Sequence, residues 1–220
     1  MQRALIIGAS GGIGAALASE LLARGVDVVG LSRSVDGLNV TDQASVQVVM
    51  GQLEGHFDLI IMASGILAPS GESPEKSLRS IKQTSMEEVM AVNAIGPALV
   101  LAEIPRLLPR DRRSVVAVLT ARVGSIGDNQ LGGWYAYRAS KAAANQITHT
   151  AAIEIGRRFD QAVVVALHPG TVDTSFTQNY PGRDKTPPTE AAQNLLGVLE
   201  SLSPDQSGQF FDWAGKSVPW

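Results

Sequence analysis

The sequence predicts an α/β fold in which helices cover both faces of a parallel sheet, a doubly wound arrangement. Apolar runs without polar alternation, typical of strands buried on both faces, alternate with longer segments of helical periodicity along the chain. The glycine-rich loop "GASGGIG" joins the first apolar run to the first helical segment. The length of 220 residues suits one domain, and we expect that domain to span residues 1–220.

Six apolar runs predict six strands. They are "RALIIG", "VDVVGLSR", "FDLIIMASG", "SVVAVLTA", "QAVVVALHPG" and "GQFFDW". The spacing of Ile13, Leu17 and Leu21 predicts a helix after the glycine loop, and Gly25 is a suitable end for it. Further helices are expected over residues 42–55, 85–110, 135–158 and 189–202. Pro97 either bends the long 85–110 segment or begins a second helix there.

Composition excludes several classes of site and partner. The chain has no cysteine, which excludes disulfides, thiolate catalysis and cysteine-ligated metals. Its histidines, His56, His149 and His168, lack metal-ligand spacing, so we expect no metal site. The net charge of -3 is too small to indicate a nucleic-acid or membrane partner, and no apolar run reaches transmembrane length. The start "MQRALIIGAS" does not resemble a signal peptide, and we expect a cytoplasmic protein.

The glycine loop is predicted to bind a dinucleotide. Such a loop lets the backbone approach a pyrophosphate and directs the free N–H groups of the next helix toward it. The spacing of Gly8, Gly12 and Gly14 differs from the common G-x-G-x-x-G pattern, and an ordinary tight turn is the alternative. The position of the loop between the first strand and the first helix favours the nucleotide site. The expected contacts are Gly8, Ser10, Gly11, Gly12, Ile13 and Gly14.

The end of the second strand indicates which dinucleotide is bound. In a dinucleotide fold this point reaches the adenine ribose, where a carboxylate would accept from the 2′-OH and repel a 2′-phosphate. The residues here are Ser32, Arg33 and Ser34, and the first acid is Asp36. Because the guanidinium fork suits phosphate, we expect NADP(H) to be preferred over NAD(H), with a solvated surface arginine as the alternative. The expected contacts are Ser32, Arg33 and Asn39.

The stretch "GGWYAYRASKAAAN" places Tyr137 four residues before Lys141 on a predicted helix. Residues four apart share a helix face, whereas Tyr135 lies six residues from the lysine and points elsewhere. A cation about 4 Å from a phenol favours phenolate by about 4 kcal/mol at an effective dielectric near 20, before desolvation, so we expect Lys141 to lower the pKa of Tyr137. Tyr137 is therefore a candidate general acid for carbonyl reduction. On its own, a pair at this spacing is usually structural.

Several motifs occur together in one order along the chain. They are the glycine loop, Asn93 in "VNAIGP", "YRASK", and "HPGTVDT" from His168 to Thr174. With this set the chain resembles the short-chain dehydrogenase/reductase family over essentially all 220 residues. The stretches "GSIGDN" and "GGWYAYRASKAAAN" and the ending "SGQFFDWAGKSVPW" are similar to the C-factor and sniffer-type carbonyl reductase subgroup.

The resemblance implies a Rossmann fold with a seven-stranded parallel sheet and one bound NAD(P)(H). It makes Tyr137 the acid/base, and Lys141 the residue that holds the nicotinamide ribose and tunes Tyr137. Asn93 would order a water between Lys141 and solvent. Family members often pair through two helices, here those after Tyr135 and around Asn93–Leu108, so a homodimer or homotetramer is expected. The residues implied to shape the nicotinamide pocket are Pro169, Gly170, Val172 and Thr174.

Two positions depart from the family's pattern. The Asn-Asn-Ala-Gly run after the family's fourth strand is replaced by "MASG", in which Ala63, Ser64 and Gly65 stay small and are still expected to line the cofactor. The family's serine, three residues before a glycine, is Ala121 here. Ser125 is the favoured replacement, Thr120 is the reserve, and a site with neither hydroxyl is the third possibility.

The predicted function is NADPH-dependent reduction of an aldehyde or ketone, with a proton supplied by Tyr137. No convergent Arg or Lys can be placed on the pocket walls, which favours a neutral, partly apolar small-molecule carbonyl. Two alternatives stay open. A cofactor-sensing or signalling protein with little turnover is favoured by Ala121, and an NAD-linked alcohol dehydrogenase is disfavoured by Ser32 and Arg33.

Some aromatic residues and loops have two readings. Trp134 and Tyr135 are either core or pocket wall, with core slightly preferred. The polar segments 68–83 and 174–188 are either disordered or lids over a site. Phe176, Tyr180 and Trp220 lie in or near flexible segments that could cap a substrate.

Overall fold

A parallel sheet runs through the centre of the molecule. The computed structural model describes residues 1–179 and 184–220. The strands are β1 Arg3–Ile7, β2 Asp27–Leu31, β3 Leu59–Met62, β4 Ser114–Leu119, β5 Ala162–His168 and β6 Phe210–Asp212. They lie in the order β2-β1-β3-β4-β5-β6 and every neighbouring pair is parallel. The order reverses beside β1, and open α/β sheets bind ligands at such a switch point.

Helices cover both faces of this sheet. They are α1 Gly12–Ala23, α2 Arg33–Asp36, α3 Gln43–Gly51, α4 Gln83–Met90, α5 Gly96–Glu103, α6 Tyr135–Gly156 and α7 Pro188–Ser201. Alternate strand residues face opposite sides. Leu5 and Val116 pack in one core with residues of α3, α5 and α6, whereas Ala4 and Val115 pack in a second core with α1 and α7. The two cores confirm the predicted doubly wound arrangement.

The described residues form six strands, which match the six apolar runs of the sequence. The seven-stranded sheet implied by the family resemblance is therefore wrong for this part of the chain. Between β2 and β3 lie α2, α3 and a short connection. In that connection Asn39 N donates to Ser45 Oγ, and Asn39 Oδ1 accepts from the N–H and hydroxyl of Thr41. These bonds hold the connection to itself and to the start of α3, and β2 is an edge strand among the described residues.

The long helical segment changes its winding immediately before Pro97. A π-helical turn over Ala91–Ile95 separates α4 from α5. Because proline has no N–H, Pro97 cannot donate to the carbonyl of Asn93 as a regular helix would require. Pro97 therefore stands at the start of a second helix, one of the two outcomes expected for it. Widened turns of this kind occur frequently at functional sites.

The combined segment Gln83–Leu107 is long and apolar enough to cross a membrane, judged by length and composition alone. In the fold this segment packs against the sheet as a core helix. Val100 and Ile104 are buried and pack in the same core as the strand residues Val116 and Val118.

Two of the predicted helices agree closely with the structure, whereas α3 ends at Gly51, four residues before the predicted end at residue 55. Helix α6 begins at the predicted Tyr135 and ends two residues before the predicted end, and α7 agrees within one residue at each end. The four-residue α2 was not predicted. In segment 68–83 a short 3-10 turn spans Leu78–Ser80. Tyr180, expected near a substrate cap, lies outside the described residues.

Candidate active site

Loops that follow β1, β3 and β5 converge at one edge of the sheet. A Cβ added at Gly8, after β1, would lie 2.9 Å from Ser64 N in the loop after β3. A Cβ added at Gly12 would lie 2.5 Å from Thr174 Cγ2 in the segment after β5. Gly8 also has a positive φ of 87°, which favours glycine. The structure thus brings three predicted cofactor-binding segments together at the switch point.

The start of α1 is suited to binding an anion. This helix has no side-chain cap and no acidic residue in its first turn, so none of the described side chains occupies its first N–H groups. Gly14 packs so closely on Gly8 O that a Cβ there would overlap it. A side chain has no room at Gly8, Gly12 or Gly14, and the bare backbone of this cradle fits a pyrophosphate. The remaining predicted loop contacts, Ser10, Gly11, Gly12 and Ile13, are exposed or half-buried.

The end of β2 carries both an arginine and an acid. Asp36 Oδ2 accepts from Ser32 N at 2.8 Å and from Ser32 Oγ at 3.3 Å. Ser32 Oγ accepts from Val35 N at 3.2 Å, so the serine caps α2 and the acid is folded back onto it. Arg33 is exposed and makes no hydrogen bond or ion pair with the described residues. Its guanidinium is available to an incoming phosphate, and Asn39 lies half-buried in the next turn.

Tyr137 and Lys141 lie on one face of α6, as their spacing predicts. Both are buried, with 7% and 4% of their surface exposed. Lys141 Nζ lies 5.8 Å from the centroid of the Tyr137 ring and donates to Leu119 O at the end of β4, at 3.0 Å. A Cβ at Gly65 would lie 3.4 Å from Nζ, so the loop after β3 reaches the lysine. Tyr135 is half-buried at the first position of the helix.

Asn93 connects the loop after β3 to α6. It is fully buried in the π turn. Its Oδ1 accepts from Ile66 N at 2.8 Å, and its Nδ2 donates to Ile66 O at 2.7 Å and to Ser140 Oγ at 3.0 Å. Ser140 Oγ donates in turn to Tyr137 O at 2.9 Å. Asn93 is thereby linked through Ser140 to the main chain at Tyr137.

Two members of this network were missed by the sequence analysis. Ser140 stands three residues after Tyr137, and helical spacing could have identified it. Ile66 takes part through its main-chain N–H and carbonyl, which leave no signal in residue type.

Burial governs the ionisation of the Tyr137–Lys141 pair. Burial raises the pKa of the Tyr137 phenol above its ordinary value and lowers the pKa of the Lys141 ammonium to about 8. The expected lowering of the Tyr137 pKa by the lysine is therefore wrong for this structure. Both groups lose hydration, and the ammonium lies beside the ring at 5.8 Å from its centroid, so desolvation outweighs the attraction. Burial therefore favours the protonated form of the Tyr137 phenol.

Two hydroxyls lie in the segment after β4, where the family's serine is replaced. Ser125 is 1% exposed, and its Oγ accepts from Asp128 N at 3.0 Å while keeping its own proton to donate. Thr120 Oγ1 is buried without a hydrogen-bond partner among the described residues. A Cβ at Gly124 would lie 2.8 Å from Lys141 Cβ, so this segment packs directly on α6.

The segment after β5 is held by its own hydrogen bonds. Val172 pairs with Thr186 in an isolated bridge, and Thr177 Oγ1 donates to Val172 O at 2.6 Å. The side chain of Val172 is buried in this arrangement. The other residues predicted to shape the nicotinamide pocket, Pro169, Gly170 and Thr174, are half-buried.

Two aromatic rings flank Tyr137. The ring centroids of Trp134 and Phe176 each lie 6.1 Å from that of the tyrosine. Trp134 is half-buried and Phe176 is exposed, which favours the pocket-wall interpretation of Trp134 over the core interpretation. Trp220 instead stacks on Phe210 with centroids 5.8 Å apart, and so packs against the fold instead of facing Tyr137.

Comparison with known proteins agrees with this geometry. A family model described as enoyl-(acyl carrier protein) reductase matches residues 8–206. The 1-hydroxy-2-glutathionyl-2-methyl-3-butene dehydrogenase of Rhodococcus sp. (strain AD45) is 30% identical over 236 aligned positions that cover 100% of both chains. The C-signal protein of Myxococcus xanthus is 36% identical over 145 residues, 66% of this chain and 84% of that one. A solved short-chain dehydrogenase/reductase from Burkholderia multivorans with bound NADP has a TM-score of 0.85 and 26% identity, covering 100% of this chain and 99% of that one.

These matches confirm the resemblance that the motifs indicated, including its C-factor branch. The family model covers most of the chain, and the Rhodococcus dehydrogenase aligns with all of it. The structure adds the uncapped glycine cradle and the buried Tyr137–Lys141 face of α6. The chain is an oxidoreductase of the short-chain dehydrogenase/reductase family.

Proposed function

We propose that the protein reduces the carbonyl group of an aldehyde or ketone with NADPH. The observation that carries this proposal is the placement of Tyr137 and Lys141 on one buried helix face, where the loop after β3 reaches Nζ. When bound, NADPH supplies the hydride. The protein's own residues must then hold the cofactor, orient the carbonyl and deliver one proton.

The cofactor would lie along the carboxyl edge of the sheet. The glycine cradle from Gly8 to Gly14 would hold the pyrophosphate through the first N–H groups of α1. Arg33 would bind the 2′-phosphate, because Asp36 is folded back onto Ser32 and the guanidinium is unengaged by the described residues. The loop from Ala63 to Gly65 would pass the adenosine and end beside Lys141.

Tyr137 would donate its proton to the carbonyl oxygen. Its raised pKa keeps the phenol protonated until charge develops on that oxygen. The Lys141 ammonium would hold the nicotinamide ribose and stabilise the phenolate left behind. Hydrogen bonds to Ile66 and Ser140 hold the Asn93 side chain in place. We place beside Asn93 the water that would return a proton to the active site after Tyr137 has donated its own.

The carbonyl oxygen of the substrate also needs a hydrogen-bond donor, which other family members supply with the serine that is Ala121 here. We assign this role to Ser125, whose hydroxyl keeps a proton to donate, with Thr120 as the reserve. Trp134 and Phe176 border Tyr137, which supports a neutral, partly apolar substrate.

A second candidate is a cofactor-sensing or signalling protein with little turnover. Two observations favour it: Ala121 removes the usual hydroxyl, and the C-signal protein is a relative. Wild-type NADPH oxidation across a panel of aldehydes, ketones and quinones separates the two. Binding of NADPH without turnover of any panel member would favour sensing.

Replacing Tyr137 by phenylalanine should abolish carbonyl reduction. The variant loses the proton donor and keeps the ring, so we expect kcat to fall about 10²–10⁴-fold. NADPH affinity, measured by fluorescence, should stay within about threefold, because the pyrophosphate cradle is unchanged. Tyr135→Phe is the matched control and should keep wild-type kcat. A Tyr137→Phe enzyme with more than about a tenth of wild-type kcat would contradict the assignment.

Removing the Ser125 hydroxyl should slow the reaction while removing that of Thr120 should not. We expect Ser125→Ala to lower kcat about 10²-fold, the loss typical for one oxyanion donor. Thr120→Val keeps the shape of the side chain and should leave kcat within about threefold. The reverse pattern would move the role to Thr120, and two unaffected variants would show that neither hydroxyl serves.

Arg33→Ala should weaken NADPH far more than NADH. Loss of a charge-assisted contact of about 1.5–3 kcal/mol predicts a KM for NADPH higher by about 10–150-fold. The KM for NADH should change by less than about twofold, since NADH has no 2′-phosphate. Arg79→Ala, at another exposed arginine, is the control. A wild-type preference for NADH would refute the cofactor assignment.

The rate of reduction should fall as the pH rises above about 8. The lowered pKa of Lys141, about 8, means that the ammonium is charged below this pH and neutral above it. Without that charge the phenolate is less stable, so Tyr137 becomes a weaker donor. A profile of kcat/KM from pH 6 to 10 would show the decline, with NADPH affinity measured at each pH to separate binding from catalysis. A flat profile up to pH 10 would be inconsistent with this role.

A further inference from the structure

Glu75 is buried against the start of α6 although it lies far from that helix in the sequence. It belongs to the loop after β3 and is 7% exposed. Its Oε2 accepts from Ala136 N at 3.2 Å, across 61 residues of sequence. Its main-chain oxygen accepts from Trp134 N at 2.5 Å. The side-chain Oε2 and the main-chain oxygen of Glu75 therefore each accept from an N–H group that lies within three residues of Tyr137.

Helix α6 has no cap of its own. Its N-cap residue is Trp134, which has left-handed torsions of φ 55° and ψ 46° and whose side chain does not cap the helix. Gly132 and Gly133 also have positive φ, so three successive residues lead into the helix in a conformation that L-residues avoid. The first N–H groups of a helix need partners from outside it. Here one partner comes from a distant loop.

We propose that Glu75 is a positioning residue for Tyr137, acting as a remote cap on the first turn of α6. The inference rests on the proposed function, because it concerns the proton donor of that reaction. A carboxylate at a helix N-terminus also interacts favourably with the helix dipole, so Glu75 holds the turn by charge as well as by hydrogen bonding. The bond from Trp134 N to the main-chain oxygen of Glu75 holds the N-cap residue in its left-handed conformation. The bond from Ala136 N to the Glu75 carboxylate holds the first turn of α6.

The two residues of the catalytic pair depend on this cap unequally. Tyr137 is the third residue of α6 and lies in the turn that frays when a cap is lost. Lys141 lies one turn further on and is tied to Leu119 O. Loss of the cap would therefore displace the phenol while the ammonium stays in place. A displacement of about 1 Å at a reacting group can cost about 10²-fold in rate.

The test compares Glu75→Ala and Glu75→Gln with wild type and with Glu72→Ala. Glutamine keeps the acceptor and loses the charge. Glu72 lies in the same loop but pairs with Lys82 and Ser85, so it is a matched control for changes in the loop. Three quantities are measured on the full chain below the melting temperature: exchange of the Ala136 amide by NMR, kcat for carbonyl reduction, and the KM for NADPH.

We expect Glu75→Ala to exchange the Ala136 amide at least about tenfold faster and to lose about 10–100-fold in kcat. The KM for NADPH should stay within about twofold, since the cradle is remote from the cap. Glu75→Gln should recover most of both losses, and Glu72→Ala should match wild type in all three measurements.

Wild-type amide exchange in Glu75→Ala would overturn the proposal. So would faster exchange with an unchanged kcat, since that would show a role in stability alone. A wild type that reduces no carbonyl in the panel would refute the proposed function, and with it the catalytic part of this inference. The exchange rates would still report separately whether Glu75 holds the helix start.

Discussion

The site depends on a lysine ammonium held inside the protein. Lys141 is 4% exposed, and among the described residues its ammonium donates to the carbonyl at the end of β4. Burying a charge is costly, and the lowered pKa of Lys141 records that cost. The position is tenable because the neighbouring chain leaves room and polarity around Nζ. Gly65 has no side chain to fill the space, and a Cβ there would lie 3.3 Å from Asn93 Oδ1 and 3.4 Å from Lys141 Nζ.

Local spacing explains what the sequence could predict. Tyr137 and Lys141 share a face because they are four apart on a helix, and the glycine loop follows its strand directly. The six strands could be predicted for a similar reason, because each one is an uninterrupted apolar segment of the sequence. The family resemblance implied one strand more than the described chain forms. In the described chain β2 is an edge strand, and the connection that follows it, which contains Asn39, is bonded to Thr41 and to Ser45 of α3.

What the sequence could not predict depends on long-range contacts and on the degree of burial. The Asn93 amide binds main-chain atoms 27 residues away, and Glu75 reaches α6 across 61 residues. Neither pairing follows a spacing rule. The ionisation of Tyr137 was misjudged because Coulomb attraction can be anticipated from sequence, whereas the loss of hydration is known only once the walls of the site are in place.

The π turn at Ala91–Ile95 has a consequence for how this helix can change. A π turn is one residue longer than the α-helical turn it replaces, so the register of α5 is set by that single extra position. Each residue of a helix advances the chain by about 100° around its axis. Shortening the turn by one residue would rotate Val100 and Ile104 by about 100° relative to Asn93, so the core contacts and the Asn93–Ile66 contacts could no longer both be kept. The single extra residue is therefore what allows one helical segment to serve the core and the active site together.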